Sequence, residues 1–328
     1  MKRAFHLLSV GIYVIVLSLY PASGWAKENS KIMKHLSENL QISGGVDGRL
    51  EWKESHSVRP ELAGMFLNLR KVFRDELGDR WIVSLQGDAD DTFEKFRSYQ
   101  SFLQYKGPLG KWNIRAGHYI LPFGLLHNYD TERLIFQTAE EETLGIKLDS
   151  GVQAFGYFGD WDWNVSLSEG IGRRWFDEWD DNFLVTTRLG WNGGTWKAGI
   201  STFTGRVKTS EEFSLGEKNL EQQKVGIDWT REAGPWVIRA EGLGGLEDHQ
   251  GMGGGLLLVD YALTDRFEIN TKYALTGRSE IEQEAGAGFT FKLGKGWILR
   301  AGYFLNANED EIRNEFQAQL YYDFSRHL

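Results

Sequence analysis

The 328-residue chain carries a formal charge of −9, 39 glycines, 5 prolines, 13 tryptophans and no cysteine, and 14% of it is aromatic. Without cysteine there is no disulfide framework, no thiolate zinc or iron–sulfur centre, no covalently attached c-type haem and no cysteine nucleophile. The hydrophobic share of 41% sits slightly below that of a packed soluble core, and the aromatic share is high for so hydrophilic a chain.

Lys2 and Arg3 precede an apolar run over 7–20, and Gly24-Trp25-Ala26 puts small residues at the two positions a signal peptidase reads. This predicts a signal peptide over 1–26, cleaved after Ala26. The run is too short for a membrane-spanning helix, which needs about 20 apolar residues. Loss of Lys2 and Arg3 takes the 37 basic residues to 35 against 46 acidic ones, a charge of −11. That charge counts against binding nucleic acid through its phosphates. Residues 27–40 read as a short periplasmic segment with no assigned role, and 41–328 as the folded domain.

From Ile42 onward apolar and polar residues alternate with a period of two, the signature of strands with one apolar and one polar face. Sixteen such segments begin near residues 42, 62, 81, 96, 112, 144, 161, 183, 195, 223, 236, 253, 267, 283, 297 and 314. In the first, Ile42, Val46, Leu50 and Trp52 alternate with Ser43, Asp47, Arg49 and Glu51. In the last, Phe316, Ala318, Leu320, Tyr322 and Phe324 alternate with Gln317, Gln319, Tyr321 and Asp323. The segment near 253 fits least well, because Leu256, Leu257 and Leu258 are apolar on both faces. The glycine cluster at 251–255 lacks the lysine and helix of a phosphate loop and reads as a bend or loop root.

Even-to-odd connections are short, at 107–110, 159–160, 192–194, 232–235, 263–266 and 294–296. Odd-to-even connections are mostly longer and acidic, as at 88–91, 121–143, 170–182, 204–222 and 306–313. This layout predicts an all-β transmembrane antiparallel barrel of about 16 strands, with short periplasmic turns, long extracellular loops and a periplasmic N-terminus. Tryptophan points the same way: Trp81, Trp112, Trp161 with Trp163, Trp196, Trp236 and Trp297 open strands that follow a short turn. Indole rings favour the headgroup layer, so this ring predicts a periplasmic aromatic girdle. A soluble sandwich or propeller has no reason to set tryptophan at one end of alternate strands.

In lipid, an open sheet edge leaves unpaired N–H and C=O groups at a cost of several kcal/mol each, so the sheet must close. Closure turns the apolar side outward and collects charge inside. The alternation places Arg49, Arg70, Arg115, Lys147, Arg188, Lys197, Arg239, Lys272, Lys292 and Arg300 on the inner wall. With them go Asp47, Asp162, Asp228, Glu241, Asp260, Glu268, Glu284 and Asp323. Fixed charges at a narrow point select ions, which makes Arg70, Arg115, Lys147, Arg188, Lys197, Arg239, Lys272 and Arg300 the candidate pore-lining residues. The alternative is that they pair with these acids and only hold the wall together. Sixteen strands enclose a ring too wide for side chains to fill, so the lumen holds water unless a loop or partner plugs it.

The stretch Gly117-His-Tyr-Ile-Leu-Pro122-Phe123-Gly124 leads from the fifth segment into the third long connection. Here the chain resembles the Gram-negative outer-membrane porins, closest to the anion- and phosphate-selective (porin O/P-like) family, whose members carry Gly, a short apolar stretch and Pro-Phe-Gly at this place. The likeness extends to the sixteen-segment layout and the aromatic carboxyl end. It implies that residues 121–143 fold into the channel and narrow it, beginning with Pro122, Phe123 and Gly124. Asp130, Glu132, Arg133, Glu140, Glu141 and Glu142 would then supply charge opposite Arg70, Arg115 and Arg188. The resemblance also implies a homotrimer. The dense lysine and arginine ladder of phosphate-selective members is missing from this chain, which counts against phosphate selectivity. An external lid is the other reading of the loop.

The expected activity is passive diffusion of small hydrophilic solutes or ions across outer-membrane lipid, with no enzyme chemistry, cofactor or metal. Two other readings stay open. One is a barrel sheathing a protein partner in its lumen, such as an electron-transfer cytochrome; the other is an outer-membrane hydrolase. Catalytic signals are thin: His35, His56, His118, His127, His249 and His327 show no metal-ligand spacing, and no Gly-x-Ser-x-Gly occurs. A lone histidine near an interface reads as a polar surface group.

Overall fold

The computed structural model describes residues 38–54, 58–76, 78–89, 96–127, 134–136, 146–172, 181–208, 219–277, 281–308 and 311–327. The expected signal peptide and all but the last three residues of the 27–40 segment lie outside them. Period-two alternation becomes sixteen strands. The first eight are β1 (Leu40–Lys53), β2 (Arg59–Asp75), β3 (Gly78–Ala89), β4 (Phe96–Lys106), β5 (Trp112–Ile120), β6 (Leu148–Phe158), β7 (Trp161–Ser168) and β8 (Phe183–Asn192). The rest are β9 (Trp196–Lys208), β10 (Asn219–Ala233), β11 (Trp236–Glu247), β12 (Gln250–Ala262), β13 (Phe267–Gly277), β14 (Ile281–Gly294), β15 (Trp297–Ala307) and β16 (Ile312–His327).

Each strand pairs antiparallel with its neighbours in sequence. β1 closes on β16, from Gln41 opposite His327 to Lys53 opposite Glu315, so the sheet is a closed barrel. Closure gives every strand a partner on both sides, the condition for a sheet in hydrocarbon. One side of each strand is exposed and apolar, as at Leu85, Val152, Leu167 and Ile227. The other side is buried and largely polar, as at Ser84, Gln153, Ser166 and Asp228.

The tryptophans of the expected girdle gather at the short-turn end. Trp81, Trp112, Trp161, Trp196, Trp236 and Trp297 are outward and exposed, and Trp163 is half-buried one step in. Partners on adjacent strands complete it: Tyr105 lies 4.9 Å from Trp81 and 5.5 Å from Trp112, Trp191 4.0 Å from Trp196, Tyr261 4.3 Å from Trp236 and Tyr322 4.8 Å from Trp297.

Two expectations shift. The sixth strand begins at Leu148 instead of near 144, because Lys147 uses its carbonyl to accept the Leu121 N–H (2.9 Å) at the root of the preceding connection. The glycines at 251–255 are not a bend but part of β12, where Gly253, Gly254 and Gly255 pair with Gly244, Leu243 and Gly242. The chain reverses just before them instead, at Asp248 and His249, with φ of 47° and 67°. Positive φ at both residues is the geometry of a tight hairpin turn.

Candidate functional site

After Ile120 the chain turns into the barrel. Pro122 ends the extended run, and a 3-10 turn, Gly124–His127, follows. The Phe123 ring stands edge-on to Phe203 of β9, centroids 6.2 Å apart. It fills the space a side chain would need at Gly226 of β10, where a Cβ would come within 2.7 Å of the ring. The Gly124 N–H donates to Ser201 Oγ (3.0 Å) and the Leu125 N–H to Glu241 Oε1 (3.1 Å). Gly124 has φ +51°, and a Cβ there would sit 1.6 Å from Glu241 Oε1, so both backbone and space require glycine.

The segment reaches further round the wall at Ile135 and Phe136. Phe136 lies 5.2 Å from Phe304 of β15. Its ring occupies a second notch, within 2.9 Å of a Cβ built on Gly288 and 3.2 Å of one on Gly302. Leu125, Ile135 and Phe136 share one buried cluster with Leu256, Leu258, Ala274 and Phe304. This explains the strand that is apolar on both faces: Leu257 points outward at 44% exposure, while Leu256 and Leu258 point inward at 4% and 2% beneath the inserted segment. Each large apolar side chain buried this way contributes about 1.5–3 kcal/mol. Pro122, Phe123 and Gly124 are therefore inside the barrel; Asp130, Glu132, Arg133, Glu140, Glu141 and Glu142 lie outside the described residues.

Arg70, Arg115, Arg188, Lys197, Arg239, Lys272 and Arg300 all sit at inward register positions, and Lys147 is buried just before β6, 5.9 Å over the Tyr99 ring. Their surroundings differ. Arg188 donates from Nη1 to Asp162 (2.8 Å) and from Nη2 to Asp228 (2.8 Å). It lies across Gly190 and Gly199, where a Cβ at either would come within 2.4 Å of a guanidinium nitrogen. The residues run round the wall as Asp162, Gly190, Gly199 and Asp228 on four successive strands, so one guanidinium bridges all four.

Arg239 pairs with Asp260, which also accepts from Asn270 (2.7 Å). Lys272 pairs with Glu284 (2.8 Å) and Lys224 with Glu247 (3.8 Å). Arg300 donates to Gln319 Oε1 (2.7 Å), whose amide donates in turn to Asp47 (2.8 Å), and Asp47 accepts from Arg49 (2.7 Å). Arg115 is different: its Nε and Nη2 donate to the neutral Gln104 Oε1, at 3.3 and 3.0 Å. Arg70 is exposed and makes no ion pair or hydrogen bond among the described residues.

The root of the next connection is tied down by Asp149. Its Oδ2 accepts the Gly170 N–H (2.6 Å), and its Oδ1 accepts the N–H groups of Ser150 (2.9 Å), Ile171 (3.3 Å) and Gly172 (3.3 Å). Beside it, burial pushes the Glu169 carboxyl above its usual range, and the Asp149 carboxylate adds to the shift. His118, read from sequence as a surface group, is fully buried with Nδ1 3.1 Å from Ser150 Oγ.

The glycine sockets at Gly226, Gly288 and Gly302 escaped sequence reasoning. A signal was present, since Phe203, Leu243, Leu256, Leu258 and Phe304 break the polar phase of their strands.

The sequence matches no protein-family model and no curated protein. Among solved structures, the chain is similar to OmpT (in-vitro folded, trimer form), an outer membrane protein of Vibrio cholerae, with TM-score 0.68 and 12% identity over 87% of this chain and 99% of that one. It is similar to the anion-selective porin from Comamonas acidovorans, with TM-score 0.64 and 11% identity over 87% and 99%. It is also similar to Salmonella typhi OmpF in a complex with daunomycin, with TM-score 0.66 and 9% identity over 88% and 98%. The fold is that of the outer-membrane porins.

Proposed function

We propose that the chain is an outer-membrane porin of a Gram-negative bacterium, a passive channel for small hydrophilic solutes or ions. The observation that carries this reading is a closed barrel with an apolar exterior and a charged interior, with residues 121–126, 135 and 136 seated against its inner wall. Such a segment subtracts from the cross-section, so the 121–143 connection sets the width of the path. On this reading the short-turn end, with its outward tryptophans, is the periplasmic end, where the N-terminus also belongs. Residues 1–26 act as the export signal and 27–40 as a periplasmic lead-in.

Selectivity comes from the wall arginines and lysines together with the charges of the 121–143 loop. Kinship with the anion-selective porins rests on Gly117 and Pro122-Phe123-Gly124, and assembly as a homotrimer follows from that kinship. No covalent step is part of this function. The inserted segment occupies wall that a sheathed partner would need, which favours a channel over a sheath.

Reconstitution of the purified chain in a planar bilayer tests this. Steady single-channel current is expected. Current appearing only after a partner is stripped away would support the sheath, and hydrolysis of lipid or ester without current would support an enzyme.

A further inference from the structure

We propose that Arg115 and Arg70 form a recognition site for small organic carboxylates on the inner wall of the barrel. The inference rests on the porin reading and names a solute class for it. The Arg115 guanidinium lies between two rings, its Cζ 4.2 Å from the centroid of Phe102 on β4 and 5.0 Å from that of Phe155 on β6. Aromatic faces hold a guanidinium flat and leave its edge to bind partners. Two of the five N–H groups go to Gln104, so three remain for a solute.

The neighbours are neutral and incompletely satisfied. Gln153, directly opposite Arg115 in the β5–β6 ladder, is 2% exposed, and its Oε1 has no hydrogen-bond partner among the described residues. Arg70 lies in the adjoining row, opposite Ser84, which is in turn opposite Phe102. No carboxylate among the described residues pairs with either arginine.

A bound counter-ion must therefore come from the lumen. A planar carboxylate matches the guanidinium edge with two parallel hydrogen bonds, which a spherical halide cannot do. The described residues of the inserted segment pack with Leu184, Phe203, Leu243, Met252, Leu256, Leu258, Ala274 and Phe304 on β8 to β15, and with Phe102 on β4; none of these partners is on β2, which carries Arg70.

The test is a bi-ionic bilayer measurement, potassium chloride on one side and potassium lactate on the other, which yields the lactate-to-chloride permeability ratio. For the native chain this ratio should exceed the ratio of the two ions' mobilities in water. Arg115→Lys keeps the charge but loses the fork, and should lower the ratio about threefold while anions remain preferred over potassium. Arg70→Gln removes an exposed side chain with no hydrogen bond or ion pair among the described residues and should lower it by less, without disturbing the barrel. A native ratio equal to the mobility ratio overturns the proposal. So does a ratio unchanged by both substitutions in channels that still conduct. Absence of any current from the native chain defeats the porin reading itself, a result distinct from either.

Discussion

Two groups of inward cations are held by different means. Between β7 and β14, Arg188, Arg239, Lys224 and Lys272 each meet a carboxylate, and Arg188 meets two, while Lys197 of β9 meets none among the described residues. On β2 and β5, Arg70 and Arg115 meet none among the described residues, whereas nearer the short turns Arg80 pairs with Asp75 (2.6 Å) and Lys106 with Asp79 (3.4 Å). The first arrangement ties neighbouring strands together and leaves its locale neutral or negative. The second leaves positive charge facing the lumen, where it can act on a solute. Whether an inward arginine is paired or left open to the lumen is thus decided by which residues register places one row away, and residue type alone does not decide.

The comparison breaks first at the seat of the inserted segment. Replacing Phe123 and Phe136 with alanine empties both glycine-lined notches, at a cost of about 3 kcal/mol each. Single-channel conductance should rise about twofold as the segment leaves the wall; unchanged conductance would mean that it does not limit the path. Next comes Arg188→Met, which leaves the buried Asp228 and the part-exposed Asp162 without their shared guanidinium. The expected loss is about 3–5 kcal/mol in urea unfolding of the detergent-solubilised barrel, against less than about 0.5 kcal/mol for Arg70→Met. Equal losses would erase the distinction between the two groups.

Selectivity gives a smaller effect. Arg70→Gln should move the reversal potential in a salt gradient toward cations by several millivolts, on the order of a one-charge change. Replacing Arg239 and Asp260 together with methionine removes a balanced pair and should leave the reversal potential in place.

The smallest effect concerns pH. The Glu169 carboxyl is raised in the folded chain, so the native state holds its proton to higher pH than the unfolded one does. Stability therefore falls as pH rises from the usual carboxylate value through the raised one. Glu169→Gln should flatten the decline of the thermal midpoint as pH rises above the ordinary carboxylate value, and an unchanged slope would assign the pH dependence to other groups.

Much of the barrel is legible from alternation alone. Strand starts such as Trp112, Trp161, Phe183, Trp236, Phe267 and Trp297 fall where the segments begin, because a strand between lipid and water has to show its period in side-chain polarity. Face is legible for the same reason. Row is not: that Arg188 falls between Asp162 and Asp228, across Gly190 and Gly199, depends on the register of four strands. The inserted segment was hinted at by Leu256, Leu257 and Leu258, whose inward members look misplaced until Leu125, Ile135 and Phe136 cover them. His118 resisted because its outward position says nothing of what buries it.

The central claim is that one face of each strand meets lipid and the other meets water. The chain has no cysteine, so single cysteines report without background. Arg70→Cys on the inner wall of β2 and Leu85→Cys, 53% exposed on the outer wall of β3, can be challenged in intact membranes with a charged, water-soluble thiol reagent. Rapid modification is expected at position 70, with a fall in channel current, and none at position 85. Modification at position 85 as fast as at position 70 would contradict it.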